Sequence, residues 1–518
     1  MSLYQGIYHN NLNNLDNVAL YFVNKKITYN DFFINVRKLI TYFKSLNINK
    51  GDVITIALPN IPLNIYAFYA LNEIGVIQNI IHPLTKIDQI IESMKLTNSK
   101  YGIVLMHEYF INNKKGLSNL IYVNPFNGFI MKNIYSLKYK KDKNILLLND
   151  FNKYQENHDS FINDDSLTSI YLHSGGTTGM PKIIELSNDS INNLAKKVPY
   201  IVNKSLKGKS MLAVLPTFHG FGLGMGVHAP LFNQASSALM MKFNPDLVIK
   251  WINQNKVNLI IGVPLLYQKL ILNKNFQKAK LTNLEFCFIG GDIVQTKLIN
   301  DFNDIMIKNH SNCRLLEGYG LTETVTVCAV NTLENYKIGS VGKPLKDIDV
   351  LVYEDKILPC NEIGEIYINS NTMMNGYLND VEASNNIKQL INNKEYIKSG
   401  DLGYIDEDGF IYIKGRKKRV FKISGINVYP LEIEKIVLEN NNVFYASMEY
   451  FINPKPHTNL YIILNKNYNG DQKELISLLY KTLNERLIKY MIPQNIIVLN
   501  EFPKTKIGKI DHNKFIDK

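Results

Sequence analysis

Cysteine is scarce in this chain of 518 residues, and the four that occur do not cluster. Cys287, Cys313, Cys328 and Cys360 share no metal-ligand spacing, so buried free thiols are expected rather than a disulfide framework or a metal site. Long hydrophobic runs are missing too. No stretch reaches the roughly 18 apolar residues that a bilayer-spanning helix needs, which leaves only peripheral membrane contact open. The opening MSLYQGIYHN has neither a basic start nor an apolar segment, so no secretory signal and a cytoplasmic location are expected. The formal net charge is +12, yet no long Lys/Arg block carries it. Lys, Asn and Ile recur throughout as a general bias, and nucleic acid is not expected as a partner. Internal repeats and low-complexity linkers are absent.

What is present describes a globular protein: 46% hydrophobic and 20% charged residues. At this length two or more domains are expected. Residues 32–46 place Phe33, Val36, Leu39, Ile40 and Phe43 at helical spacing, with Thr28 or Asn30 able to cap the helix. Residues 53–58, 76–81 and 101–105 read as buried strands, with helices at 62–75 and 88–96 between them. The same alternation returns at 211–215, 244–254, 258–262 and 284–289. This pattern predicts an α/β fold of helix-covered sheets. Residues 110–165 are polar and irregular and read as peripheral. From about 338 short strands separated by turns indicate a β-rich subdomain. A charge cluster at GRKKR (415–419) marks a boundary, followed by a small α+β unit with helices at 430–437 and 474–487 and strands at 460–464 and 495–499.

Several loops carry the residue types that chemistry needs. SGGTTGMPK (174–182) lies between a predicted strand and a short apolar run. Its glycines allow close backbone approach, while its hydroxyls and Lys182 supply donors for oxyanions. It lacks the Ser or Thr that follows the lysine of a P-loop. EGYGLTE (317–323), placed between a strand and a helix, offers an aromatic face in Tyr319 and, in Thr322 and Glu323, a hydroxyl and a carboxylate for phosphate and Mg²⁺. SGDLG (399–403), read as a turn, presents Asp401 to a vicinal diol. LPTFHGFG (215–222) sets His219 at a strand end among glycines and aromatics, and PKTKIGKID (503–511) holds Lys504, Lys506 and Lys509. Taken singly, each also fits an ordinary loop, core histidine or solvated charge.

Together with GGD (290–292), GSVGKP (339–344), MMNGY (373–377), SGDLGYIDEDGFIYIKGRKK (399–418) and KISGINVYPLEIE (422–434), these stretches form nine motifs in one order. The set resembles the adenylate-forming (AMP-binding) superfamily, over roughly residues 28–510, and is most similar to fatty-acyl-CoA synthetases. The resemblance implies an N-terminal adenylate-forming domain (1–415) and a small mobile α+β C-terminal lid (416–518) hinged near Lys418. It implies an ATP-dependent acid–thiol ligase with Mg²⁺ and with CoA as cosubstrate. Such an enzyme adenylates a hydrophobic carboxylic acid, here a fatty acid, and releases pyrophosphate and then AMP.

By the same resemblance, Ser174, Gly176, Thr177, Thr178, Gly179 and Lys182 hold the β- and γ-phosphates. Gly290, Gly291 and Asp292 line the adenine opposite Tyr319 and Gly320, Thr322 holds the α-phosphate and Glu323 the metal. Asp401 takes the ribose diol, and Arg416 contacts ribose or phosphate. Lys509 bridges carboxylate and α-phosphate. Lys422 and Gly425 face the thiol tunnel, with His219 near the acyl site. Residues 263–267 and 290–292, mostly apolar or small, are read as acid-pocket lining.

The chain departs from the usual pattern at Gly175, Ile183, Arg419 and His512. His219 replaces the aspartate of amino-acid-activating relatives, so an α-amino acid would leave its ammonium unpaired. Two alternatives stay open: a ligase that loads an acyl or aryl group onto a carrier protein, which the Gly175 form of the loop permits, and a non-catalytic nucleotide-binding homologue.

Overall fold

A computed structural model of the chain describes residues 1–105, 119–124, 146–157, 165–174, 182–423, 426–452, 455–503 and 510–515. Two large, mainly parallel sheets form its bulk. In the nine-stranded sheet, Leu315–Gly320, Phe286–Ile289, Leu259–Gly262, Ser210–Ala213, Ser236–Leu239 and Val18–Phe22 run parallel side by side. In the eight-stranded sheet, Thr168–His173, Ile77–Ile80, Val53–Ala57, Ser99–Leu105, Leu120–Val123 and Leu146–Leu147 do the same. Inner strands such as Leu259–Gly262 and Phe286–Ile289 are buried at every position, as sheets covered on both faces require.

The helices between and around the sheets follow their sequence signals. Tyr29–Ser45 starts where the Thr28 hydroxyl accepts from Asp31 N–H at 3.1 Å, and it buries Phe32, Phe33, Val36, Leu39, Ile40 and Phe43. Pro62–Ile74 begins with proline and stops at Gly75, whose φ of +87° only glycine adopts without strain. One continuous core packs both sheets against these helices and against Leu3–Asn11 and Asn188–Val202. A second core backs the far face of the nine-stranded sheet with Pro245–Asn253, Pro264–Ile271 and Thr296–Lys308. Tyr267 belongs to it. Its hydroxyl donates to the carbonyls of Ile260 and Phe288, both at 3.0 Å, so this residue is core rather than pocket lining.

The nine-stranded sheet turns antiparallel at both edges, at Lys25–Thr28 and beyond Leu315–Gly320, and the eight-stranded sheet at one; the switches that matter for the site are the one beyond Leu315–Gly320 and the one in the eight-stranded sheet. Thr168–His173 turns back into antiparallel Ile183–Ser187, and Gly376–Tyr377 then pairs with that strand. Leu315–Gly320 turns back into antiparallel Val327–Val330. Of the two connections, one is the glycine-rich loop and the other the Thr322–Glu323 turn.

A third, six-stranded antiparallel sheet gathers strands between Ile348 and Arg416, the β-rich subdomain read from sequence. Farther along, a two-stranded ribbon (Phe421–Ile423 with Ile426–Val428) precedes a three-stranded sheet of Val443–Phe451, His457–Leu464 and Asn495–Val498. Pro430–Leu438 and Gln472–Arg486 cover it with a core of their own.

The fold departs from the sequence reading at further points. Residues 110–165 are not wholly peripheral, because Leu120–Val123 is fully buried inside the eight-stranded sheet. Cys360 is exposed, although all four thiols are free and the other three buried. The strand Val443–Phe451 carries no clear sequence signal, since aromatic, small and charged residues interleave along it without a clean period of two.

Candidate active site

The glycine-rich loop is pinched at its base. Ser174 N–H donates to the Lys182 carbonyl at 2.8 Å, and Lys182 N–H returns a bond to the Ser174 hydroxyl at 3.0 Å. These bonds continue the antiparallel ladder past His173 opposite Ile183. Gly176, Thr177, Thr178 and Gly179 lie outside the described residues, as do Lys504, Lys506, Lys509 and Gly425. Behind the loop, the His173 ring nitrogen Nε2 bonds to Asn79 Oδ1 at 2.8 Å, and the Asn79 amide is held by Thr55 and Ser93 at 2.9 Å each. Burial pulls the His173 pKa down to about 4, so at neutral pH its Nε2 is an N–H donor to that oxygen.

At the second switch, EGYGLTE is not strand-then-helix. Glu317 to Gly320 complete a strand, Thr322–Thr324 form one 3₁₀ turn, and the chain reverses. The reversal is sharp: Thr326 N–H bonds to the Thr324 carbonyl at 2.8 Å around Val325, whose φ and ψ are 66° and −59°. That is the strained, positive-φ γ-turn, an outlier for a β-branched residue. Backbone strain of this kind collects at functional sites. Gly220, next to His219, packs against the turn so closely that a Cβ there would lie 1.8 Å from the Val325 carbonyl oxygen. His219 thus approaches the Thr322–Glu323 turn from a loop leading into the helical segment Phe221–His228, not from a strand end. Its ring lies 4.3 Å from that of Phe218, which in turn meets His82 at 4.7 Å.

Tyr319 and Asp401 come together across sheets. The Tyr319 hydroxyl donates to Asp401 Oδ2 at 2.6 Å, and Arg416 Nε meets Asp401 Oδ1 at 3.0 Å. Asp401 is no surface turn residue. It is 4% exposed, inside the strand Lys394–Ile405 and directly opposite Arg416 on the neighbouring strand. Burial pushes its carboxyl pKa up, against the pull of Arg416 and Tyr319. Burial, and then the neighbouring carboxylate, push the Tyr319 phenol up as well. Gly290 packs where a Cβ would sit 2.7 Å from the Gly318 carbonyl, bringing the GGD loop beside Tyr319, and Gly291 takes a φ of +80°. Asp292 accepts from Ile293 N–H at 2.8 Å.

One residue in a motif but without an assigned role joins the first two groups. The Tyr377 hydroxyl donates to Glu323 Oε1 at 2.9 Å, and the Lys182 ammonium lies 4.5 Å from the Tyr377 ring centroid. Sequence spacing gave no hint of it, since Tyr377 is 54 residues from Glu323 and 195 from Lys182. Lys422 is separate from these groups, exposed on the two-stranded ribbon.

Among the described residues no group of three or more His, Cys, Asp or Glu side chains is arranged to hold a metal. A lone carboxylate such as Glu323 fits Mg²⁺ delivered with a nucleotide, because that ion keeps most of its shell in water and phosphate oxygens. No described helix is long and apolar enough to cross a membrane.

Known proteins agree with this architecture. The chain is 24% identical to the long-chain-fatty-acid–CoA ligase of Bacillus subtilis (strain 168), over 97% of this chain and 92% of that protein. It is 26% identical to a probable 4-coumarate–CoA ligase 3 of Dictyostelium discoideum, over 93% and 89%. The anthranilate CoA ligase AuaEII, solved with anthranoyl-AMP, superposes with a TM-score of 0.86 at 19% identity, covering 99% of this chain and 96% of that one. The o-succinylbenzoate CoA synthetase of Bacillus subtilis, solved with ATP and magnesium, superposes at 0.80 with 21% identity and 98% of each chain covered. The pattern of the AMP-binding enzyme family matches residues 8–378, a span holding both sheet switches and most of the residues gathered around them. The chain belongs to the AMP-binding enzyme family.

Proposed function

We propose that this protein is an acid–thiol ligase that activates a hydrophobic carboxylic acid, a fatty acid, as its adenylate and passes the acyl group to CoA. The observation that carries this reading is the convergence of Lys182, Glu323, Tyr319, Asp401 and Arg416 around the two sheet switches. A cation and a carboxylate stand at one end and an aromatic face with a carboxylate–guanidinium pair at the other, as a nucleoside triphosphate requires.

In the first step a carboxylate oxygen attacks the α-phosphorus of ATP, the bond to the β-phosphate oxygen breaks, and pyrophosphate leaves. Two anions must meet, so catalysis is mostly positioning and charge neutralisation. Lys182 and the loop it closes hold the departing pyrophosphate. Tyr319 stacks on adenine, with the Gly290–Gly291 backbone on the other side. Asp401 accepts from the ribose hydroxyls, exchanging its bond from Tyr319 for one from the ligand, while Arg416 keeps the carboxylate charged. Thr322 donates to the α-phosphate. Glu323 holds Mg²⁺, which when bound neutralises phosphate charge. Lys509 bridges the attacking carboxylate and the α-phosphate. In the second step the thiol sulfur of CoA attacks the acyl carbon, its proton passes to solvent, and AMP leaves with the bonding pair of the mixed anhydride. His219, Lys422 and Gly425 belong to that step.

We further place a hinge at Lys418 between domains 1–415 and 416–518. Lys417 is tied to Glu365 of the third sheet at 2.7 Å, whereas Arg419 is tied to buried Glu434 of the following unit at 2.6 Å. Lys418 is the one residue between these opposed anchors. To test the function, the protein is incubated with ATP, Mg²⁺, CoA and a panel of fatty and aryl acids, and the products are read by mass. Fatty acyl-CoA and AMP are expected. Thioester only on a phosphopantetheinylated carrier protein, or only with aryl acids, contradicts the acceptor or acid named here.

A further inference from the structure

Tyr377 is fixed more firmly than a bystander needs to be. It lies in the two-residue strand Gly376–Tyr377, which adds to the edge strand Ile183–Ser187 with Tyr377 opposite Ile184. Leu378 N–H donates to the Ile183 carbonyl and Asn375 N–H to the Glu185 carbonyl, each at 2.9 Å, while Tyr377 N–H is held by the Ser384 hydroxyl at 2.8 Å. Three residues earlier, Met374 N–H donates to the Glu323 carbonyl at 2.8 Å. Residues 374–378 therefore tie the strand leaving the glycine-rich loop to the Thr322–Glu323 turn of the other sheet. At the middle of this tie the side chain of Tyr377, 7% exposed, works in two directions. Its hydroxyl engages one oxygen of Glu323, and its ring face lies beneath the exposed Lys182 ammonium.

We infer that Tyr377 is a positioning residue that sets Glu323 for a divalent cation and Lys182 for phosphate, registering the two against each other across the gap between the sheets. This rests on the proposed roles of Glu323 and Lys182. A phenol donating to Oε1 fixes the rotation of the carboxylate, and Glu323 Oε2 accepts from no described residue, which leaves it open to a ligand. A ring face attracts the ammonium without occupying its N–H donors as a carboxylate would, leaving them for phosphate oxygens. A tyrosine does both at once, phenylalanine only the second and leucine neither.

That difference makes the test. Full-length wild type, Tyr377→Phe and Tyr377→Leu are compared for the Mg²⁺ concentration giving half-maximal pyrophosphate release, for the ATP KM at saturating Mg²⁺, and for Mn²⁺ binding by EPR in the presence of a non-hydrolysable ATP analogue. Tyr377→Phe is expected to weaken Mn²⁺ binding and raise the Mg²⁺ requirement about tenfold, with ATP KM almost unchanged. Tyr377→Leu adds a roughly threefold rise in ATP KM. Wild-type Mn²⁺ affinity in folded Tyr377→Phe overturns the proposal, as does an equal loss in every parameter with a lowered Tm in both variants. Glu323→Gln separates the two layers. If it leaves Mn²⁺ binding intact, the metal role of Glu323 fails; if it weakens binding while Tyr377→Phe does not, only the role of Tyr377 fails.

Discussion

At the scale of single residues, two imidazoles, one half-buried and one fully buried, tie stability to pH. His173, behind the glycine-rich loop, has its pKa pulled down by burial to about 4. His228 lies fully buried between the Tyr69 hydroxyl and Asn192 Oδ1, each at 3.0 Å, and burial lowers its pKa to about 3. The ordinary imidazole value is 6.5, so the unfolded chain binds protons more readily than the folded one. Stability from these groups is complete above about pH 6.5 and drains away as pH falls toward 4, by about 1.4 kcal/mol per unit of pKa difference. Glu317 acts in the opposite sense. Burial raises its pKa to about 7 from 4.5, so its part is lost as pH rises through that window. With two imidazoles against one carboxyl, Tm is expected to fall between pH 7 and 5, and His173→Gln is expected to lose less on acidification than wild type. A Tm independent of pH in that range, or a variant as acid-sensitive as wild type, contradicts the assignment of His173.

At the scale of elements, the γ-turn at Val325 and the glycine against it are the part of the site with least tolerance. Gly220→Ala would put a methyl group 1.8 Å from the Val325 carbonyl, forcing either the His219 loop or the Thr322–Glu323 turn to move. Overpacking of this kind costs about 1–3 kcal/mol. The expected result is a lower Tm together with a loss of adenylate formation larger than the stability change explains. Activity and Tm equal to wild type would mean that the two segments do not need this contact. Little of this was legible in the sequence. The helices Tyr29–Ser45 and Pro62–Ile74 could be read because caps and periodicity are local signals within one turn or two. Motif order also named Tyr319, Asp401 and Arg416. It did not reveal that Asp401 is buried on a strand, because strand pairing between Asp401 and Arg416 is set by register, not by the residues of SGDLG. Nor did it reveal a role for Tyr377, whose two contacts come from distant segments brought together by the Gly376–Tyr377 pairing with Ile183–Ser187.

At the scale of the whole molecule, the two large sheets that carry the proposed adenylation site share one core, and the following unit has its own. The proposed pivot is Lys418, between the anchors at Lys417 and Arg419. Proline there fixes φ near −65° and removes an N–H, so Lys418→Pro is expected to change the ratio of the adenylation and thioester rates by at least roughly tenfold while leaving the fold intact. Equal effects on both half-reactions would place the pivot elsewhere. In the proposed reaction a carboxylic acid cleaves ATP between its α- and β-phosphates at this site. The direct measurement supplies ATP, Mg²⁺ and the acid panel without CoA and follows pyrophosphate release and the mass of the enzyme-bound product in a single turnover. Pyrophosphate and an acyl-adenylate appearing together with a fatty acid is the predicted result. ADP in place of pyrophosphate, or no acyl-adenylate with any acid, would contradict it.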